Sequence, residues 1–315
     1  MTAAVKPAAA RPEPGRGRFN LSPRVRDNIA GYLFTLPWMI HLVVLIAFAM
    51  LFSLGISFCD TDFVTRTEFT GLLNYRTMFA DSLFWKSLAN TAYYTFVSVP
   101  LSVIFALAIA LLLNLNVKGV GIFRLMYYTP SIVSGVAVAI LWQYVLNPRY
   151  GILNQGLALI GIEGPKWIYS QEWAMPAFIV MGVWGAGGNM LLYLAGLQGI
   201  PTTLYEAATI DGANAWHRFW AVTLPMLSPT ILFNLIGNLI ASWQIFSQSY
   251  LMTRGGPNNA TLTMVLHLYN KGFQQFHFGY ASAIAWALFV IVLVFTLLML
   301  RSSEVWVFYE GELRK

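Results

Sequence analysis

Charged residues are absent from six long stretches of the chain, residues 31–57, 87–117, 125–148, 173–205, 219–253 and 272–300. Each exceeds the roughly 20 residues a helix needs to cross about 30 Å of hydrocarbon. The pattern predicts an all-α, polytopic membrane protein. Its six transmembrane helices should lie at about 31–57, 90–115, 122–146, 173–197, 226–250 and 278–300, within a domain over residues 28–302. Between the fourth and fifth runs, residues 199–225 break the pattern. Here "IPTTLYEAATIDGANAWHRF" (200–219) reads as a soluble-looking helix. Glu206 follows Thr203 by three residues, the spacing of a capping box, in which hydroxyl and carboxylate each satisfy an orphan backbone N–H. That reading predicts a short, capped helix within residues 200–219.

Composition agrees with the pattern. Of 315 residues, 57% are apolar and 10% charged, against roughly 25% charged in a soluble domain. Residues 1–27 are polar and hold six basic side chains. They lack the apolar core and cleavage site of a signal peptide, and are expected to form a disordered tail. The single cysteine, Cys59, allows no internal disulfide and belongs to no metal motif. With the N-terminus inside, cytoplasmic segments carry 12 Lys and Arg residues against 7 outside. The count predicts a cytoplasmic N-terminus and, after six spans, a cytoplasmic C-terminal tail at 303–315. On the same count the loops 58–86, 147–172 and 254–271 face outward.

The runs contain no Asp, Glu, Lys or Arg, and the histidines nearest to them are His41 near the start of the first span and His267 and His277 near the last. Relays in ion-coupled transporters need such groups. No lysine follows a glycine, so the phosphate-binding GxxxxGK[ST] loop is missing. Energy for uphill movement would have to come from another chain, and ATP and magnesium would belong there; this chain is expected to hold no cofactor or metal and not to be an enzyme.

Neutral polar residues concentrate in two runs. The fourth holds Gly182, Gly185, Gly187, Gly188 and Asn189; the fifth holds Asn234, Asn238, Ser242, Gln244, Ser247 and Gln248. Two readings stay open. Small residues let helices approach closely, and amides and hydroxyls bond between helices. Alternatively, with Trp184, Trp243, Phe246 and Tyr250, they line a polar, aromatic-walled cavity suited to a sugar.

Glu206-Ala207-Ala208, three residues, Gly212, nine residues, Val222, one residue and Leu224-Pro225 form a pattern. It resembles the signature loop of the membrane-spanning permease subunits of bacterial ABC importers; Val222 stands where isoleucine is usual. The stretches "MLLYLAGLQGIPTTLYEAATIDGA" (190–213), "TRGGPNNAT" (253–261) and "YASAIAW" (280–286) look like the carbohydrate-uptake group of maltose and glycerol-phosphate permeases. The likeness runs over about 30–302. The chain has no room for the large extracellular insertion and extra spans of the maltose permease, and is similar to the shorter six-span subunits.

The resemblance implies a type I ABC importer permease fold in the bacterial inner membrane. It also implies a coupling helix around 203–218 that docks on a cytoplasmic ATPase subunit. Glu206, Ala207, Ala208, Asp211, Gly212, Leu224 and Pro225 would be the coupling residues. Asp211 and Arg218 are equally readable as partner contacts or solvated charges, and Trp216 and Phe219 would anchor the return to the membrane. The implied partners are a second, non-identical permease, two ATPase subunits, an extracytoplasmic solute-binding protein, lipid and the sugar, with no nucleic acid. Carried over by spacing from Glu206, the sugar contacts fall on Trp184, Gly185, Gly188, Ser242 and Ile245. Chemistry adds Asn189, Gln244 and Gln248. Glycine and isoleucine stand where the maltose permease has larger or polar side chains, so the partner permease could supply the hydrogen bonds.

A different class is a membrane glycosyltransferase that uses Asp60 and Asp62 just beyond the first run. Two carboxylates two residues apart can bind a divalent cation. Such an enzyme has no use for the 206–225 loop.

Overall fold

The computed structural model describes residues 22–115 and 118–309, so most of the N-terminal tail and residues 310–315 of the C-terminal one lie outside the described residues. The chain divides into two compact units, residues 1–53 and 54–315. The first holds α1 (Pro23–Ile40), a π turn (His41–Ala47) and the start of α2 (Phe48–Ser57), whose residues from Leu54 on belong to the second. Ser22 caps α1 by accepting from the Val25 N–H, and Pro23 occupies the first turn, where a missing N–H costs nothing. The tail is therefore helical from Pro23, which corrects the expectation of disorder as far as residue 27.

After α2 the chain forms a hairpin of β1 (Cys59–Thr61) and β2 (Thr67–Phe69), in the register Asp60 opposite Glu68. Asp62 makes its turn: Oδ1 accepts from the N–H groups of Val64, Thr65 and Arg66 at 2.8–3.0 Å. After α3 (Leu73–Ala80), Asp81 caps α4 (Ser82–Leu113) by accepting from the Leu83 N–H at 2.8 Å. The 32-residue α4 is the central strut. It buries Thr91, Thr95, Ser98, Ser102, Ala106 and Ala110, a face of small side chains at helical spacing. Small faces bring helix backbones close, and dispersion holds helices together where lipid removes the hydrophobic driving force.

Against it pack α5 (Val120–Ile132), α8 (Ala174–Trp184) and α9 (Gly187–Gln198), and between α5 and α8 the chain forms α6 (Gly135–Val145) and α7 (Ile152–Leu159), which pack on each other. Helices α5 and α6 meet at 103°, and α8 and α9 at 41°. Ser134 makes the first break by capping α6 at the Ala137 N–H. At the second, Gly187 lies so close to α5 that a Cβ would collide with the Tyr127 carbonyl.

The chain then forms α10 (Thr202–Ile210) and α11 (Ala215–Arg218). From α11 it runs through a π turn (Phe219–Thr223) into α12 (Leu224–Trp243). Beyond α12 lie α13 (Met264–Tyr269) and α14 (Phe278–Trp306). The loop between α12 and α13 is moored to α4, because Asn90 Nδ2 donates to the carbonyls of Asn259 and Leu262 at 2.8 and 2.9 Å. The core follows α4. Val103, Ala106 and Ala110 pack with Tyr193, Leu197 and Leu227 towards its C-terminal end. Met78 and Phe84 pack with Trp243, Met264 and Ile284 at the end that bears the hairpin.

Among the described residues four helices are long and apolar enough to cross a membrane, six if each bent pair is one span. Three local expectations need correction. The third run is not a straight helix over 122–146, because Ser134 offers α6 a cap and the chain turns there. The fifth helical run starts at Ala215, eleven residues before the predicted 226, and leaves the helix after Trp243. The capping box is absent: Pro201, not Thr203, is the N-cap of α10, so Thr202 and Thr203 are already helical and Glu206 falls in the second turn.

Candidate functional site

Where α12 ends, the chain opens a cavity of about 320 Å³. Gln244, Ile245 and Phe246 are out of helix, and the freed Ile245 carbonyl accepts from Thr263 Oγ1 at 3.0 Å. Non-helical backbone at membrane depth is tolerated where it lines a cavity or is buried in protein. The break turns Ser242, Gln244, Ser247 and Gln248 towards one space, which Asn238 completes from the preceding turn. The opposite wall is α4, through Tyr94, Ser98 and Ser102. Gly182 of α8 closes the side: a Cβ there would stand 2.9 Å from both Ser98 Oγ and the Tyr94 hydroxyl.

This lining carries hydroxyls, amides and aromatic rings, and no charge. One donor is conspicuous. Asn238 Oδ1 accepts from Asn189 Nδ2 at 2.9 Å, while Asn238 Nδ2 is shielded from solvent with no partner among the described residues. A buried amide donor left unpaired is costly, so a ligand hydroxyl or water is its natural acceptor.

Of the positions singled out from the sequence, Ser242, Gln244, Ile245 and Gln248 line the cavity. Asn189 lies behind it and acts through Asn238. The others lie elsewhere: Trp184 packs edge-on against Trp142 at 5.7 Å, Gly185 caps α8 at the bend, and Gly188 faces Ser131. Sequence reading missed the α4 wall. Tyr94, Ser98 and Ser102 recur every four residues, the signal that could have revealed it.

The second constellation is the α10 loop. It is not one helix over 203–218. The turn after α10 carries Gly212 at φ +79, with the Ala213 N–H bonded to the Ala208 carbonyl at 2.9 Å and the Gly212 N–H to Thr209 at 3.0 Å. This is the glycine-dependent Schellman stop of a helix. Asp211 is the C-cap. Asn214 then restarts the helix by accepting from the His217 N–H at 2.9 Å.

Two contacts brace α10 against the root of α12. The hydroxyls of Tyr205 and Thr223 share a hydrogen bond of 3.0 Å, and Arg218 Nη1 donates to Thr209 Oγ1 at 3.2 Å. Glu206 and Ala207 are exposed, Ala208 half-buried, and Leu224 and Pro225 form the first turn of α12. A groove of about 660 Å³ runs past Tyr205, Glu206, Ile210 and Arg218. Ile210 is 87% and Trp216 66% exposed, which leaves the loop with uncovered apolar tips.

At the hairpin end, Asp60 pairs with Arg66 and Asp62 is spent on the turn. Hydrogen bonds from Thr65 and from the backbone of Arg66, Val64 and Thr65 hold the Asp62 carboxyl far below the usual carboxylate range. Neither side chain is presented for catalysis, and no cluster of three metal-ligating side chains occurs among the described residues. Nearby, Asp81 accepts from the Tyr280 hydroxyl at 2.8 Å and lies 3.4 Å from His267 Nε2.

Residues 84–304 match the family model described as "Binding-protein-dependent transport system inner membrane component". The chain is 40% identical over 292 residues to the "Probable ABC transporter permease protein YesP" of Bacillus subtilis, covering 91% of this chain and 94% of that protein. It is 36% identical over 283 residues to the "Trehalose/maltose transport system permease protein MalF" of Thermococcus litoralis, covering 88% and 95%. A chain of a bacterial alginate ABC transporter, solved in complex with an alginate pentasaccharide-bound periplasmic protein, superposes with a TM-score of 0.78 at 24% identity. That match covers 90% of this chain and 97% of the other and shows the shared fold.

Proposed function

This chain belongs to the family of binding-protein-dependent transport system inner membrane components, and on that premise we propose that it carries sugars. It is a permease subunit, a non-enzymatic, multi-pass component of an ABC importer. The saccharide reading rests above all on the cavity at the end of α12, whose amides, hydroxyls and rings carry no charge. Hydroxyls of a neutral mono-, di- or oligosaccharide suit such donors, and the apolar faces of its rings suit Phe246 and Tyr94. The Thermococcus relative, named for trehalose and maltose, supports the same class.

The α10 loop is the docking element for a cytoplasmic ATPase, which fits its exposed Glu206, Ile210 and Trp216 and the excess of basic residues on that side. Both termini are then cytoplasmic and the hairpin end faces outward. A second, non-identical permease completes the pathway, two ATPases hold ATP and magnesium, and a solute-binding protein delivers sugar at the hairpin end.

Coupling follows from connectivity. Closure of the ATPases on ATP displaces α10, and the Tyr205–Thr223 and Arg218–Thr209 bonds pass that movement to the π turn. Because α11, the π turn and α12 form one continuous helical run, displacement at its root moves Ser242 and the chain break at the cavity. A two-state rocking of this kind is biased by ATP at one end and the loaded binding protein at the other.

The test is ATP-driven uptake of radiolabelled maltose, trehalose, lactose and maltotriose by proteoliposomes holding the complete assembly. We expect uptake of at least one, dependent on the binding protein and reduced about tenfold in apparent affinity by Asn238→Leu, as removal of a buried hydrogen-bonding group implies. Uptake of none of the four sinks the saccharide reading.

A further inference from the structure

Six aromatic rings form an unbroken series from the cavity to the surface of the hairpin end. Phe246, which lines the cavity, stacks on Tyr250 at 5.2 Å between centroids with an interplanar angle of 12°. Both lie 5.2 Å from Tyr269. Tyr269 stacks on Phe273 at 5.5 Å, Phe273 meets Phe278 at 5.7 Å, and Phe278 meets Phe63 of the hairpin turn at 4.8 Å. None of the six is buried; Phe273 is 60% exposed and Phe63 52%.

We infer that these rings are a saccharide track, a set of stacking subsites that guides a sugar between the outer surface and the cavity. The inference rests on the carbohydrate reading above and extends it to an entry route. Aromatic faces take the apolar C–H faces of pyranose rings without demanding one arrangement of hydroxyls, which suits sites that must be occupied and left in turn. Adjacent centroids lie within 4.8–5.7 Å, so a sugar meets the next ring before it has left the last.

Two further observations favour this occupant. The segment that carries the middle of the series, "YNKGFQQF" (269–276), sets its rings among the amides Asn270, Gln274 and Gln275 and one cation, Lys271, whose Nζ lies 5.5 Å from the Tyr280 ring. Aromatic belts at a lipid interface are enriched in Trp and Tyr; four of these six rings are Phe, and the series leads off the wall of a polar cavity. The backbone is also strained at both sides of the outer end. Phe63 sits at φ +60 and Phe276 at φ +59, with Phe276 6.4 Å from Phe278. Left-handed backbone is unfavourable for a bulky side chain, and such strain concentrates at functional sites.

The complete assembly in proteoliposomes tests the track with the same four probes, maltose, trehalose, lactose and maltotriose. Phe273→Leu keeps apolar volume and removes the ring; Phe273→Tyr keeps the ring. For every probe the wild type accepts, Phe273→Leu should raise KM about three- to tenfold, the range an aromatic contact supports, with a smaller loss in kcat. Phe273→Tyr should restore wild-type KM, and Val64→Ala, at the exposed hairpin tip outside the series, should leave uptake unchanged. If Phe273→Leu leaves KM at the wild-type value, or lowers uptake only through kcat, the ring serves packing or the lipid interface and the track is wrong. If the wild type accepts none of the four, the carbohydrate reading fails first and the track falls with it.

Discussion

Tyr205 and Thr223 join the short helix α10 to the π turn at the root of α12 through a 3.0 Å bond between their hydroxyls. A π turn widens the helix by one residue and is often a functional adaptation. Here the widened turn places Thr223, itself buried, against α10, the proposed docking element.

Tyr205→Phe and Thr223→Val should each loosen coupling without unfolding the permease. Each variant forfeits a net hydrogen bond of about 1 kcal/mol. The expected result is fewer sugars moved per ATP hydrolysed, by about two- to fivefold, with ATPase activity maintained. The double variant should be no worse than Thr223→Val alone, which removes the shared bond and also the 3.4 Å bond from Thr223 Oγ1 to the Arg218 carbonyl. Uptake and phosphate release measured on the same proteoliposomes check this; additive losses would show that the hydroxyls act independently.

Gly212→Ala should disable the loop more than its small size suggests. At φ +79 a Cβ costs about 1–2 kcal/mol, and the Schellman bonds to Ala208 and Thr209 are what hold the turn. Gly212→Asn, whose side chain tolerates that backbone, should retain much of the function. Co-purification of the ATPase with each variant gives the order, expected as wild type, then Asn, then Ala. Equal binding by Ala and wild type would mean the turn is not needed for docking.

The sequence made the long elements legible because charge is nearly forbidden in hydrocarbon, so charge-free length alone reports a span. It could not show how a span bends. The break at Ser134 lies inside a charge-free run, and its signals, Pro130 behind and a serine cap before Gly135, are local ones that a length criterion passes over. At α10 a local rule misled instead. Pro201 has a fixed φ and took the N-cap, which pushed Thr203 into the helix and left Glu206 without the N–H a capping box assigns to it. In the cavity, Ser242, Gln244 and Gln248 stood out as amides and hydroxyls in an apolar run. Their convergence needed the helix to stop at Trp243, and nothing in the periodicity of 226–250 announces that stop.

Gly182→Ala should narrow the cavity rather than unfold the bundle. The new Cβ would stand 2.9 Å from the Tyr94 hydroxyl and from Ser98 Oγ, both at the ends of side chains that can turn. Their displacement into the cavity should raise KM for the accepted saccharide about tenfold, with expression and the melting temperature of the assembly close to wild type, because overpacking here costs about 1–3 kcal/mol at most. A smaller replacement of the same wall, Ser98→Gly, should partly reverse the effect in Gly182→Ala. No reversal would mean that the α4 wall is not what Gly182 spares.

Stability at the hairpin end should fall as the medium is acidified below about pH 6.5. His267 is almost wholly buried between α4 and α14, facing Asp81, Lys271 and Tyr280. Burial pushes its pKa down, and the Lys271 charge adds to that; attraction to Asp81 opposes but does not reverse it. A histidine whose folded pKa lies below its ordinary 6.5 takes up its proton more readily when unfolded. The folded state therefore loses ground as pH falls from 6.5 towards the lowered value, and holds its full advantage above 6.5. Asp81 does not confuse this window. Burial works against its charge, but hydrogen bonds from Tyr280 and Leu83 and the charges of His267 and Lys271 outweigh it and leave its pKa below 3.8. Its own contribution is lost only in stronger acid. Melting temperatures of the assembled transporter between pH 8 and pH 5 should decline below 6.5 for the wild type and decline less for His267→Gln, which keeps the shape and cannot titrate. Parallel curves for the two proteins would remove His267 as the cause.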